Sequence, residues 1–311
     1  MHGLTSLLAE PLAIDIRAMP MLLESITGEI KSESREEPKP PPTVSVELMS
    51  DAGDPVPEAA HQDGGFSRGS LLAVVPLSGV VTRHGYYAAP GTLQLGRTLQ
   101  SMDADPAIGT VVLSVNSPGG SVYGTTELAG IVRGIRDRGE TQVVSVADPL
   151  MASAATWIAT AASEVYATVS ADVGSIGVIS AYTDFSEMLQ SAGIKVDVIR
   201  TPDLKARFTG VEPLTEDMRN FLSKRNNEAY AEFLSAMAEN RGVSESHVSD
   251  RFGGGEVMSA TAGVEAGLID GIATLDEVVA GLMEKASENR ERRRMEAEKR
   301  RREIQLAELE Q

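Results

Sequence analysis

Three strongly apolar, β-branched segments most constrain how this chain can fold. They are LLAVVPLSGVV (71–81), IGTVVLSV (108–115) and TQVVSVA (141–147), and each is typical of a buried strand. The stretches between them carry apolar residues at helical spacing. Strands that alternate with helices in this way predict an α/β fold with a mainly parallel sheet and right-handed crossover connections.

The alternation continues towards the C-terminus. A small-residue helix is predicted over 152–162, and further strands are predicted in EVYAT, SIGVISAY and VDVIR, with a short helix at FSEMLQSAG. A long amphipathic helix is predicted over 214–240. We therefore expect one packed domain over residues 69–283.

Both ends of the chain differ in composition from this domain. Residues 1–30 hold an apolar pattern broken by Pro11 and Pro20, which predicts an N-terminal arm. Residues 31–68 are rich in proline and acids, which predicts a disordered linker because such a segment buries too little apolar surface to offset its ordering entropy. Glu and Arg or Lys recur at helical spacings over 284–311, which predicts a charged helical tail; a basic tail for nucleic acid is the alternative.

Composition also excludes several classes of function. A net charge of −17 repels phosphate backbones, so we expect no nucleic-acid partner. The chain has no cysteine, and its four histidines are scattered, so we expect no metal site. No apolar run is long enough to cross a bilayer, and the N-terminus lacks the pattern of a signal peptide.

A glycine pair follows the second predicted strand in NSPGGS (116–121). Two glycines at a strand-to-helix turn allow positive φ and close approach by a ligand, and exposed N–H groups there can bind an oxyanion or a phosphate. The segment matches neither a Walker A loop nor GxGxxG. An ordinary glycine-rich turn is the alternative.

Ser153 lies among small residues where a predicted strand gives way to a helix. It is either a helix cap or a nucleophile. No histidine lies between His84 and His247, so a Ser-His-Asp triad is poorly supported. A Ser-Lys dyad needs no histidine, and Lys205 is its candidate base; a solvated surface charge is the alternative for this lysine.

Together these motifs resemble the signal-peptide-peptidase-A group of serine peptidases. The order NSPGGSV, MASAATWIA, DVGSIGVIS, IRTPDLKARFTG, long helix and AGLIDGI is similar to that family over residues 71–283. The resemblance implies a ClpP/crotonase-like fold of repeated ββα units. It also implies a serine endopeptidase that needs no cofactor and acts on protein or peptide substrates.

The resemblance gives each motif residue a role. Ser153 is the implied nucleophile, Lys205 the general base, and Ser175 the residue that orients the lysine. The N–H groups of Gly120 and Ala154 are the implied oxyanion hole. Two further residues are implied to contact the substrate: Gly119 and Met151.

The chain departs from the family pattern in two of these motifs. Ser153-Ala154-Ala155 stands where the family usually has a serine followed by two glycines. TPDLK (201–205) stands where SGxxK is common, so we expect the polar lining of the lysine pocket to differ.

The proline-rich linker and the missing membrane anchor are more similar to the tailed-phage capsid-assembly branch of the family. That branch implies a ring-like homo-oligomer that cleaves scaffold and capsid proteins, and itself, in the host cytoplasm or the viral procapsid. The charged tail is then a scaffold extension or its remnant. The alternatives are a cytoplasmic signal-peptide-peptidase-like protease of a bacterial host, a crotonase-like acyl-CoA enzyme, a chambered ClpP-type peptidase, and an inactive scaffold protein.

Overall fold

A mainly parallel sheet organises the computed structural model, which describes residues 12–14, 44–57, 61, 66–86, 89–252 and 254–309. Its strands are β2 (Glu47–Ser50), β3 (Leu71–Ser78), β4 (Ile108–Ser117), β6 (Gln142–Ala152), β7 (Glu164–Ala167), β8 (Asp172–Gly174), β9 (Val257–Ser259) and β10 (Gly271–Ile272). They lie in the order β10-β7-β6-β4-β3-β2. Strand β8 pairs with the C-terminal end of β6 and with β9. The pairs of β4 with β3 and β6, and of β6 with β7 and β8, are parallel, which confirms the predicted α/β class.

A second, two-stranded sheet pairs β1 (Leu12–Ile14) with β5 (Gly119–Ser121). The helices are α1 (Thr92–Ala104), α2 (Thr125–Arg138), α3 (Ala154–Ala159), α4 (Ser186–Ser191), α5 (Glu216–Arg241), α6 (Glu245–Arg251), α7 (Ala260–Ala266) and α8 (Leu275–Leu309). Among the described residues, none of these helices combines the length and apolar character needed to cross a membrane.

Separate apolar cores cover the two faces of the large sheet. On one face the helices α1, α2, α3 and α5 pack on the sheet, and Trp157 of α3 stacks on Phe233 of α5 with ring centroids 4.5 Å apart. On the other face α8 buries Val278, Val279 and Leu282 against β3, β4 and β6. The sheet is therefore covered on both faces, as its continuous apolar strands require.

The disordered linker predicted over 31–68 is wrong for residues 44–57. Here β2 pairs antiparallel with β3, placing Met49 opposite Leu72, and Val44 is buried in the core. The alternation in VSVEL gives this segment one apolar face, which an edge strand can bury. The proline-rich composition around it conceals that pattern.

Two strands predicted from apolar alternation do not form. SIGVISAY and VDVIR lack regular strand structure, although Ile179 makes an isolated antiparallel bridge with Leu12. A strand needs a paired neighbour to satisfy its backbone, and alternation alone does not supply one.

The charged tail is helical over the described part of 284–311, but it has no boundary with the domain. It continues α8, which runs without a break to Leu309. The helix begins with a capping box: Thr274 N–H donates to the Glu277 carboxylate (2.8 Å), and Glu277 N–H donates to Thr274 Oγ1 (3.2 Å). The Glu277 carboxylate also accepts from the Thr274 hydroxyl (2.9 Å), and the two hydrogen bonds it accepts from Thr274 lower its pKa.

Candidate active site

The site lies at the carboxyl edge of the parallel sheet, where ligands of α/β proteins commonly bind. Ser153 follows the last residue of β6 directly. On one side Ser117, the last residue of β4, lies opposite Met151. On the other side Gly174, the last residue of β8, lies opposite Ala152. Three strand ends therefore converge around Ser153.

The backbone of Ser153 makes a sharp turn between β6 and α3. Its φ is 55° and its ψ is −117°, a conformation that costs free energy for any residue with a Cβ atom. The turn is held by two hydrogen bonds: Ser153 N–H donates to Gly174 O (2.7 Å), and Trp157 N–H donates to Ser153 O (3.0 Å). A serine on a strained strand-to-helix turn is the arrangement of a nucleophile elbow.

The Ser153 hydroxyl does not cap the helix that follows it. It makes no side-chain hydrogen bond to the first turn of α3, and instead lies 3.5 Å from the carbonyl oxygen of Gly177. The capping role that the sequence left open is therefore not realised. Helix capping therefore does not explain why a serine occupies this strained position, and this favours a catalytic role for its hydroxyl.

The glycine pair is rigidly packed beside Ser153. A Cβ atom at Gly120 would overlap the carbonyl oxygen of Val81, so only glycine fits there. Gly119 has a φ of 89°, in the region that favours glycine. The Ser117 hydroxyl braces the turn by accepting from Gly119 N–H (3.1 Å) and donating to Gly79 O (2.6 Å).

The pairing of β5 sets the direction of the Gly120 amide. Val81 N–H donates to Gly119 O, and Ser121 N–H donates to Val81 O, both at 2.8 Å. Because successive residues of a strand direct their N–H and C=O groups to opposite edges, those of Gly120 face away from Val81. Ala154 begins α3, which packs on β5, and its N–H has no acceptor within the helix.

Lys205 is exposed, in the segment between α4 and α5. Among the described residues, its ammonium makes no hydrogen bond or ion pair. The Ser175 hydroxyl is directed at the carbonyl of Gly255 (3.4 Å) rather than at the lysine. The structure thus brings Ser153, Gly120 and Ala154 to one edge of the sheet, and among the described residues no hydrogen bond joins the Lys205 side chain to that edge.

The segment that carries Lys205 is anchored beyond the lysine. Its C-terminal part is tied to residues that precede α4: Phe185 N–H donates to Gly210 O (2.8 Å), and the Tyr182 hydroxyl donates to Glu212 O. Burial raises the pKa of Tyr182. Beyond the lysine, Arg207 pairs with Asp217 of α5 and stacks over an aromatic ring of the same helix. The lysine therefore projects from an anchored segment.

These features match a known peptidase family. The sequence pattern of peptidase family S49 matches residues 136–289, a range that includes Ser153, Ser175 and Lys205. This part of the chain belongs to peptidase family S49. The resemblance drawn from the motifs is thereby confirmed. The glycine pair lies upstream of the matched range.

Individual S49 relatives are similar at low identity. Protease 4 of Haemophilus influenzae is 26% identical over 185 residues, covering 60% of this chain and 30% of that protein. Capsid assembly protease C of Escherichia phage lambda is 27% identical over 213 residues, covering 67% of this chain and 48% of that protein. The chain thus spans less than half the length of either relative. Among solved structures, a ClpP1 point mutant from Listeria monocytogenes matches with a TM-score of 0.43 at 14% identity, over 65% of this chain and 92% of that one.

The two implied substrate contacts of the S49 domain differ in their surroundings. Gly119 lies in β5, opposite Ile14 of β1. Met151 is fully buried in the core below the serine. Both roles remain predictions.

Sequence reasoning missed one positioning residue, Thr156. Its hydroxyl lies 2.8 Å from Met151 O and 2.9 Å from Gly174 O, so it ties the end of β6 and the end of β8 to the helix after the serine. The sequence offers one signal for this role: a threonine in the first turn of a small-residue helix. A β-branched residue is less favourable than alanine in a helix, so its presence suggests that its side chain makes a specific interaction.

Proposed function

We propose that the chain is a serine endopeptidase in which Ser153 is the nucleophile and Lys205 the general base. Membership of peptidase family S49 supports the reaction class. The observation that carries the assignment of Ser153 is its strained turn between β6 and α3, with a hydroxyl that caps no helix. Near it lies a glycine pair in which Gly120 has no room for a Cβ atom and Gly119 has a positive φ.

In the proposed reaction, Ser153 Oγ attacks the carbonyl carbon of the scissile peptide bond while a neutral Lys205 amine takes the hydroxyl proton. The oxyanion of the tetrahedral intermediate accepts hydrogen bonds from the N–H groups of Gly120 and Ala154. The lysine then returns the proton to the leaving amine. Water, deprotonated by the same lysine, hydrolyses the acyl-enzyme and regenerates Ser153.

Labelling of the full-length chain with a fluorophosphonate probe, followed by peptide mapping, tests this proposal. We expect a single covalent adduct, on Ser153, because an activated serine reacts with phosphonates and an ordinary buried serine does not. Turnover of an acyl-CoA thioester with no adduct on Ser153 would favour the crotonase-like alternative instead.

We further propose that the base becomes competent only in a homo-oligomer. A lysine acts as a base near neutral pH when burial favours its neutral form. Lys205 is exposed in the single chain, and it is flanked by apolar side chains in water: Ile199 is 97% exposed and Leu204 is 66% exposed. A neighbouring subunit that covers these side chains would also desolvate the lysine.

Acidic substitutions beside the lysine test this arrangement. We expect the Ile199→Asp, Leu204→Asp double variant to lose assembly by light scattering and to lose at least about tenfold in activity, because charge opposes burial of this surface. Val169→Asp is the matched control, since Val169 is equally apolar, 73% exposed and in a different turn. Full activity in a strictly monomeric wild-type preparation would contradict the proposal.

The lambda relative's name, capsid assembly protease, supports a more specific role for this chain. We propose that it acts in phage head maturation, in the host cytoplasm or the procapsid, and cleaves scaffold and capsid proteins as well as itself. Protease 4 of Haemophilus influenzae supports the alternative of a bacterial host protease.

A further inference from the structure

A strand from the N-terminal arm lies beside the proposed oxyanion hole. β1 pairs antiparallel with β5, so that Leu12 lies opposite Ser121, Ala13 opposite Gly120, and Ile14 opposite Gly119. At its other edge β1 is also paired: Leu12 N–H donates to Ile179 O, and Ile179 N–H donates to Leu12 O, both at 2.8 Å. β1 therefore fills a slot one strand wide.

The slot is bounded by the groups that a substrate needs. The N–H and C=O of Gly120 face away from Val81 and towards β1, which lies at the opposite edge of β5. The opposite wall, at Ile179, is two residues beyond Gly177, whose carbonyl oxygen lies 3.5 Å from Ser153 Oγ. A peptide carbonyl that takes the Gly120 N–H must therefore enter the space that β1 occupies.

Burial shows that the slot is closed. Ser153 is fully buried, and so is the side chain of Leu12, while Ile14 is 5% exposed. Leu12 and Ile14 are on the same face of β1 because side chains alternate along a strand. The slot thus accepts aliphatic side chains two residues apart, and in this state it leaves the serine without access to solvent.

We infer that β1 is a resident occupant of the peptide-binding groove, held there by strand addition, and that substrate must displace it. The inference rests on the proposed function, and it defines the ligand class of the groove: an extended peptide with aliphatic side chains at alternate positions. Backbone hydrogen bonds to β5 and Ile179 supply affinity, and the buried side chains supply selectivity. Because β1 is tethered, it competes at an effective concentration on the order of millimolar.

A disulfide between β1 and β5 tests the occupancy directly. The chain has no cysteine, so Leu12→Cys with Ser121→Cys introduces a single pair. These residues are opposed at a non-hydrogen-bonded position, where Cα atoms are about 4.5 Å apart and a disulfide can form. On oxidation we expect an intramolecular cross-link and a fall of at least about tenfold in fluorophosphonate labelling of Ser153, reversed by reductant.

The single variant Leu12→Cys, oxidised in the same way, is the control. Fluorophosphonate should label its Ser153 at the same rate before and after oxidation. Absence of a cross-link, a cross-link only between chains, or equal labelling of the oxidised and reduced forms would each overturn the inference.

A binding measurement separates this inference from the proposed chemistry, because it uses full-length Ser153→Ala protein and needs no cleavage. The probe is a fluorescein-labelled peptide of residues 8–18. We expect Leu12→Asp in the protein to release β1 and to tighten peptide binding at least about tenfold, because a charge is costly in a buried slot. Leu48→Asp, in the half-buried edge strand β2, is the matched control and should leave peptide binding weak.

A peptide with Asp in place of both Leu12 and Ile14 should not bind to any of these proteins. Equal affinity of the natural peptide for all of them, or no binding even to the Leu12→Asp protein, would show that β1 is a permanent structural strand. Peptide binding by the Ser153→Ala proteins, together with no phosphonate adduct on Ser153 of the wild-type chain, would retain the groove and reject the nucleophile.

Discussion

Ser153→Ala is expected to abolish self-processing and peptide hydrolysis, with a loss on the order of 10⁴-fold or more. The fold should survive, because the Ser153 hydroxyl makes one long hydrogen bond, of 3.5 Å, and alanine tolerates the strained turn as well as serine does. Mass spectrometry of the incubated full-length chain is the measurement. Fragments that form in wild type should be missing in the variant, and circular dichroism should be unchanged.

Ser145→Ala is the matched control for this experiment. Ser145 is buried in the same strand, β6, and its hydroxyl donates to Ala159 O (2.9 Å). Its loss should lower the free energy of unfolding by about 1 kcal/mol and leave cleavage intact. Identical fragments from wild type and Ser153→Ala would mean that other proteases made the cuts, and would remove Ser153 as the nucleophile.

Lys205→Ala is expected to be almost as inactive as Ser153→Ala, and the double variant scarcely worse, because members of one catalytic unit are strongly non-additive. Lys205→Arg should be equally inactive, since a guanidinium keeps its positive charge and cannot accept a proton. Fluorophosphonate labelling and peptide hydrolysis measure both. Lys195→Ala is the control, because Lys195 is exposed in the same segment and pairs with Asp197.

Lys205→Ala activity within a few-fold of wild type would reject the dyad and leave Ser153 to another base.

The α/β class and the order of the main elements follow from local sequence patterns. The runs at 71–81, 108–115 and 141–147 become β3, β4 and β6 because continuous apolar, β-branched residues suit a strand that is buried on both faces. The long helix predicted over 214–240 is α5, Glu216–Arg241. These patterns concern neighbouring residues, so a single sequence carries them in full.

The motif residues could likewise be named from sequence, but their surroundings could not. Whether Ser153 caps a helix depends on a torsion angle and on Gly174 and Gly177, which belong to another strand and loop. The exposure of Lys205 depends on how its loop packs, which its own sequence does not encode.

Only the tertiary structure decided which segments pair. Alternation of apolar residues is visible in residues 44–57 and in 175–182, yet the former contains a strand of the large sheet and the latter supplies only the bridge at Ile179. The N-terminal arm shows an apolar pattern in the sequence, and nothing in that pattern indicates that Leu12–Ile14 lies against Gly119–Ser121. A strand is stabilised by hydrogen bonds to a neighbour that can be distant along the chain, so its partner emerges only when the whole chain is folded.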